Sequence, residues 1–470
     1  MLPLGFHGES DVTLHGESAS EHSKDASPAA NLPRRPVERL LTPVRRFLHV
    51  ESASGIFLLV CTVTALVLAN SPLAGWFSSI WKTKVELSIG TFRLAGDLGH
   101  LVINDGLMTI FFFVVGLEIK REIVSGELRE LRKALLPVFA ALGGMIAPAL
   151  IYLALQWGEP GQRGWAIPMA TDIAFVVGFL ALFGPRVPFS LKILLLTLAI
   201  VDDLGAVLII AIVFTSSLAW EALAVAALGF ALTYGLNRIG VRRVGVYMLV
   251  GMVIWAAMYK SGIHPTMAGV LLGLLTPATA WVGDKTFFSV MSELWERLRG
   301  YEPKDDRRYA VLDELQFAAR ESVSPLHRLE LALHPWVAFL IMPLFALANA
   351  GVPLEVSGLR DPVALSVAAG LAIGKPVGIL LFCWLAVRLG LSKLPHGVSW
   401  SLLVGGACLA GIGFTMSLFI NGLAFPVAEF PQREAAGKVG TLLGSAISVI
   451  LGASILLFVL RRRGAKHARG

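Results

Sequence analysis

Asp202 and Asp203 stand side by side in a stretch, Ile193 to Ala206, that otherwise offers nothing to titrate. Two more ionisable residues sit in similar company: Asp172 in Ile167-Pro168-Met169-Ala170-Thr171-Asp172-Ile173, and Lys375 in Gly374-Lys375-Pro376. Carboxylates in apolar surroundings can hold a hard cation through oxygen and give it up to protonation. They can also share a proton as an acid–base dyad, for which Asp172 and Asp203, on consecutive apolar segments, are the candidates. A lysine at the same depth favours the first use, because it supplies a counter-charge that a dyad does not need.

What must position these residues is a membrane protein. The chain has 470 residues, 55% of them hydrophobic and only 16% charged, with a mean hydropathy of +0.71. A soluble domain carries roughly a quarter charged residues, so a water-soluble enzyme and a disordered chain are excluded. The net charge of +7 is loop charge of a membrane chain and implies no nucleic-acid partner. Cys61, Cys383 and Cys408 lie in apolar runs and offer neither a disulfide framework nor a metal set.

Apolar runs near the ~20 residues that cross a bilayer recur at 54–71, 98–119, 134–156, 165–184, 193–215, 219–236, 244–259, 264–277, 329–351, 363–387, 400–424 and 439–460. They predict an all-α polytopic protein of about twelve transmembrane helices. The expected organisation is a cytoplasmic tail over 1–50, polar at first and then a short surface helix; eight spans over 51–277; a cytoplasmic loop over 278–328; four spans over 329–460; and a basic tail over 461–470. Most of the 40 Lys and Arg fall in the tails and the even-numbered loops, which places both ends in the cytoplasm. In the first outer loop, Val85, Leu87 and Ile89 alternate with polar residues before Gly90 and Phe92-Arg93-Leu94. This is a hairpin pattern whose edge can pair with a second copy, unless the loop is structureless.

A charge near the bilayer centre costs at least ~2.5–3.5 kcal/mol, so each such residue requires a cavity or a partner. Asp202 and Asp203 fall about 14 Å from the inner end of the fifth span, and neighbours on a helix point about 100° apart, which implies unequal roles. Pro168, Thr171 and Asp172 mark a break in the fourth span or a proline kink with a capping aspartate. Lys375 is the basic residue expected inside a span, as a working charge or a structural counter-ion. Gly405, Gly406, Gly411 and Gly413 permit either unwinding or tight crossing in the eleventh. Glu118, Lys120, Arg121 and Glu122 close the second span as a functional cluster or a solvated helix end, and Asp105 lies nearly four turns (roughly) before Glu118.

In order along residues 50–460, Phe111 to Glu122, Ala170 to Phe175, Ala199 to Ala206, His334 to Val337, Leu344 to Gly351, Gly374-Lys375-Pro376 and Gly411 to Ile420 resemble the NhaA family of bacterial sodium/proton antiporters. The resemblance implies two inverted three-helix units, spans three to five and ten to twelve, whose broken fourth and eleventh helices cross at mid-membrane. It implies a transporter and not an enzyme, without cofactor, exchanging cytoplasmic Na+ or Li+ for external H+ in an electrogenic, pH-regulated cycle in the inner membrane. Asp202 and Asp203 match the ion-binding pair, with Thr171 and Asp172 beside them; Asp203 is expected to ligate Na+, and Asp202 to alternate between Lys375 and the loaded site. Asp172 and Lys375 match charges that compensate half-helix dipoles. Glu118, Glu122, His264 and Glu330 match the cytoplasmic funnel and pH-responsive groups, and the 85–94 hairpin a homodimer contact. Leu331 stands where some members carry a second histidine, and the 278–328 loop is longer than in compact members.

Overall fold

The apolar runs fold as helices because a backbone in lipid must satisfy its own hydrogen bonds. The computed structural model describes residues 51–467 apart from 90–91, 216–217, 242, 303–304, 354–357 and 359. The expected N-terminal tail and surface helix, and the Gly90 turn, lie outside the described residues. Helix α1 (Glu51–Ala69) is followed by a short α2 (Ala74–Trp81), turned from it by 119°. Strands β1 (Lys84–Ile89) and β2 (Phe92–Asp97) then pair antiparallel, Leu87 opposite Leu94. The second span opens as an under-wound π segment (Leu98–Leu107) and continues as α3 (Met108–Val124).

The third span is α4 (Leu131–Leu155). The fourth runs as a 3-10 helix (Gln162–Met169) and then as α5 (Ile173–Leu182). The next four are α6 (Phe189–Val213), α7 (Trp220–Ile239), α8 (Val244–Ser261) and α9 (Thr266–Leu275). Two amphipathic helices follow, α10 (Asp284–Arg299) and α11 (Asp306–Glu321). The ninth span joins α12 (Pro325–Trp336) to α13 (Met342–Asn349) through a π turn. The tenth joins α14 (Pro362–Ala369) to α15 (Lys375–Arg388) in the same way, and its π turn, Gly370–Gly374, ends just before Lys375. The last two are the broken pair α16 (Trp400–Ala410) and α17 (Phe414–Ala424), bent by 44°, and α18 (Pro431–His467).

This is an all-α polytopic membrane protein. Among the described residues nine helices are long and apolar enough to cross a membrane, or up to eleven with each bent pair taken as one span. The expected eighth span is the ten-residue α9, about 15 Å long and half of a bilayer core. The count of twelve therefore does not follow from length and apolarity alone.

Burial sorts the bundle into centre and periphery. α7 and α8 are mostly exposed, as lipid-facing helices are, whereas α16 and α17 are buried along most of their length. Two pairs pack most closely, α3 with α9 and α4 with α15. The second pair touches backbone to backbone at Gly143 and Gly378, where a Cβ on Gly378 would also meet the Ala147 Cβ at 2.7 Å. Small residues are what permit helices to approach so closely.

Candidate ion site

The fourth span breaks where its sequence opposes helix. Pro168 lacks a donor, Ala170 and Asp172 are extended (ψ 149° and 101°), and the Asp172 carboxylate caps α5 by accepting from the Phe175 N–H at 3.2 Å. The eleventh span breaks at Gly411–Gly413, and the two breaks meet. The Asp172 N–H donates to the Ile412 carbonyl at 2.7 Å, and the second Asp172 oxygen accepts from the Thr415 N–H at 3.1 Å and from the Thr415 hydroxyl. One carboxylate thus serves the N-terminal ends of α5 and α17, both positive poles. A methyl on Gly413 would lie 3.1 Å from the Ala170 carbonyl oxygen and 2.8 Å from Leu371, so the crossing requires glycine there.

Lys375 answers the opposite pole. Its ammonium donates to the carbonyl of Met169, the last residue of the 3-10 half, and pairs with Asp202 Oδ2 at 2.6 Å, all three groups being buried. The Thr171 hydroxyl lies 2.6 Å from the same Asp202 oxygen and 3.0 Å from the Ala410 carbonyl. Asp203, the next residue, is buried equally well. Among the described residues, neither Asp202 Oδ1 nor Asp203 Oδ1 has a hydrogen-bond partner. Buried carboxylate oxygens with spare lone pairs, near the backbone carbonyls of a broken helix, offer oxygen ligands suited to a hard cation or a proton. A dyad is not what forms here, since Asp172 spends both oxygens on helix N-termini.

The structure brings together Asp172, Thr171, Asp202 and Lys375, with Asp203 adjacent in the chain. At the far end of α3, Arg121 pairs with Glu330 and lies 3.6 Å from Glu122, whose other oxygen accepts from the Glu127 N–H at 3.1 Å. Glu118 is one turn back on α3, which packs on α6 through Val115, Ile119 and Ile200. His264 does not join this group. It stands before α9, 3.6 Å from Asp105 Oδ1, while His100 reaches the other Asp105 oxygen at 3.1 Å. Asp105 precedes Glu122 by about 25 Å of helix, so His264 stands apart from Glu118, Glu122 and Glu330. No local pattern in the sequence signals a contact between residues so far apart in the chain. Near the start of α18, just before the expected twelfth span, Lys438 is largely buried and pairs with Glu434 at 2.6 Å. Thr415 was missed as a site residue, although a hydroxyl residue opening a helix after Gly411-Ile412-Gly413 is a legible cue.

Buried charges that neutralise the poles of two broken helices, within a multi-pass bundle, define a membrane protein built to move small ions. Comparison with known proteins narrows that class. Residues 45–456 match the family model described as Na+/H+ antiporter 1, and the chain belongs to that family. It is 51% identical over 433 residues to the Na(+)/H(+) antiporter NhaA of Rhodopirellula baltica, covering 91% of this chain and 97% of that protein. It is 50% identical to the Na(+)/H(+) antiporter NhaA 2 of Sorangium cellulosum (93% and 94% covered) and 48% identical to the Na(+)/H(+) antiporter NhaA of Rhizobium meliloti (90% and 96%).

Proposed function

We propose that the chain exchanges cytoplasmic Na+ or Li+ for external H+ at Asp202 and Asp203, electrogenically and under control of pH. The observation that carries this reading is the pair of adjacent buried carboxylates, each with an oxygen unpartnered among the described residues and one of them held by Lys375. Asp203 ligates the cation together with backbone oxygen from the broken fourth helix. Asp202 leaves Lys375 to complete the loaded site and returns when the cation departs. Protons and cations compete for the same lone pairs, so occupancy by one expels the other, and exposing the site to each side in turn gives exchange.

Glu118, Glu122 and Glu330, with Arg121 between them, line the cytoplasmic entry and with His264 form the pH-responsive set. Both termini face the cytoplasm of the inner membrane, and the β1–β2 hairpin joins two copies as a homodimer. The test uses everted vesicles with an acid interior, a fluorescent pH probe, and NaCl, LiCl or KCl added between about pH 6.5 and 8.5. Na+- and Li+-evoked dequenching that vanishes in Asp203→Asn is the expected result. Silence of well-folded wild type at every pH would overturn it.

A further inference from the structure

The seam between α17 and α18 holds polar groups that the ion site does not use. Asn421 on α17 and Thr441 on α18 are both wholly inaccessible to solvent. The Asn421 amide has a fixed orientation, because its Nδ2 donates to the Glu434 carbonyl at 2.9 Å. That leaves Asn421 Oδ1 without a partner among the described residues, and Thr441 Oγ1 is in the same position. Buried amide and hydroxyl oxygens are rarely left so, and each such group requires an explanation.

Gly437 shows how near the two are. A Cβ on Gly437 would overlap Asn421 Oδ1, so the amide oxygen occupies the place of a side chain at 437. Thr441 is one helical turn further on, and residues at i and i+4 share a face with Cβ atoms roughly 5–6 Å apart. The Thr441 side chain leans back along the helix toward that spot. The two oxygens do not bond each other directly, and one molecule ~2.8 Å from each is the smallest bridge between neighbouring positions on this face. The occupant is neutral, since the Lys438 ammonium on the same helix turn already answers Glu434 and two oxygens are too few for a cation.

We propose that one buried water bridges Asn421 Oδ1 and Thr441 Oγ1, donating to the amide and accepting from the hydroxyl, and that through it α18 holds α17 in register. Thr415, which grips Asp172, lies six residues before Asn421 on the same helix, about 9 Å along its axis. Thr441 and Asn421 are thereby positioning residues for the crossing, a consequence that rests on the proposed ion exchange; the water itself does not.

Thermal unfolding of the full chain in detergent is the first test, comparing Asn421→Leu, Thr441→Val and the double variant. Each single change strands one oxygen and lowers the midpoint; the double needs no water and loses less than the sum. Thr441→Ser keeps the hydroxyl and unfolds at the wild-type midpoint. Additive losses overturn the bridge. Should a variant fail to fold, a high-resolution density map of the wild type decides: a peak within hydrogen-bonding distance of both oxygens is expected, and its absence overturns the proposal. In vesicles, Thr441→Val raises the Na+ concentration for half-maximal dequenching severalfold at an unchanged maximum, and Thr441→Ser restores it. An unchanged Na+ dependence overturns the positioning role. Loss of exchange in the wild type as well would instead condemn the transport reading and leave the melting and density results standing.

Discussion

Asp202 and Asp203 are neighbours in sequence but not in circumstance. Asp202 is held by the Lys375 ammonium and the Thr171 hydroxyl, while Asp203 Oδ1 has no hydrogen-bond partner among the described residues. Breaking a buried ion pair from one side costs roughly 3–5 kcal/mol because the stranded charge has no water to return to. Lys375→Met is therefore expected to lower the thermal midpoint of the purified protein sharply, whereas Lys375→Met combined with Asp202→Leu recovers much of the loss. Differential scanning fluorimetry of the four proteins closes that cycle. Equal destabilisation of the single and double variants would mean that the Met169 carbonyl, and not Asp202, is what Lys375 chiefly serves. At this scale the sequence was informative: charged residues in apolar runs are expensive, and the aspartate pair, Asp172 and Lys375 all stand out on that ground. Thr415 did not, because a hydroxyl residue in an apolar helix is cheap.

At the scale of elements, the two breaks were legible and their form was not. Pro168, Asp172 and the Gly411-x-Gly413 spacing announce interruptions, since each removes a helix hydrogen bond or relaxes the backbone. The 3-10 winding up to Met169 and the π segment before Met108 have no comparable signature. They are set by what the helix packs against, a fact about the neighbours. The π turns before Met342 and Lys375, by contrast, each run into a proline, Pro343 and Pro376, which cannot donate a helix hydrogen bond. The meeting of α5 and α17 at one carboxylate yields a sharp expectation. Removing a side-chain cap costs about 0.5–2 kcal/mol, and Asp172 caps one helix while gripping the start of another. Asp172→Ala should cost more than a single cap, and Asp172→Asn, which keeps one acceptor oxygen, should cost less. Chemical denaturation monitored by circular dichroism would rank them. An alanine variant no worse than a surface cap would show that the crossing is held by its other contacts, the Asp172 N–H to Ile412 carbonyl bond and the Gly413 packing among them. Gly413→Ala tests that contact directly, and should destabilise by about 1–3 kcal/mol through overpacking against the Ala170 carbonyl.

For the whole molecule, the question is which parts the crossing needs. α10 and α11 lie side by side, and Val290, Leu294, Phe317 and Ala318 line an open cleft of about 470 Å³ between them. The stretch they occupy also closes on itself. The N–H groups of Trp281 and Val282 both donate to the Glu321 carbonyl at 3.1 Å, and the Leu326 N–H donates to the Pro277 carbonyl at 3.1 Å. The two strands of chain entering and leaving this helical pair are thus already side by side, and the two helices bury Leu294, Val311 and Ala318. A module with such a neck can be cut without stretching what remains, because loop closure depends only weakly on loop length. Excising 283–320 and joining the ends through a short Gly-Ser linker should leave α9 and α12 in place and the thermal midpoint near that of the full chain. Sodium-evoked dequenching at alkaline pH should keep its amplitude, and any change should fall on the pH at which activity begins, since Arg328 of α12 pairs with Glu321 at 3.8 Å two residues before Glu330. A well-folded excision variant that transports nothing would place the helical pair within the transport machinery and overturn this division of the molecule.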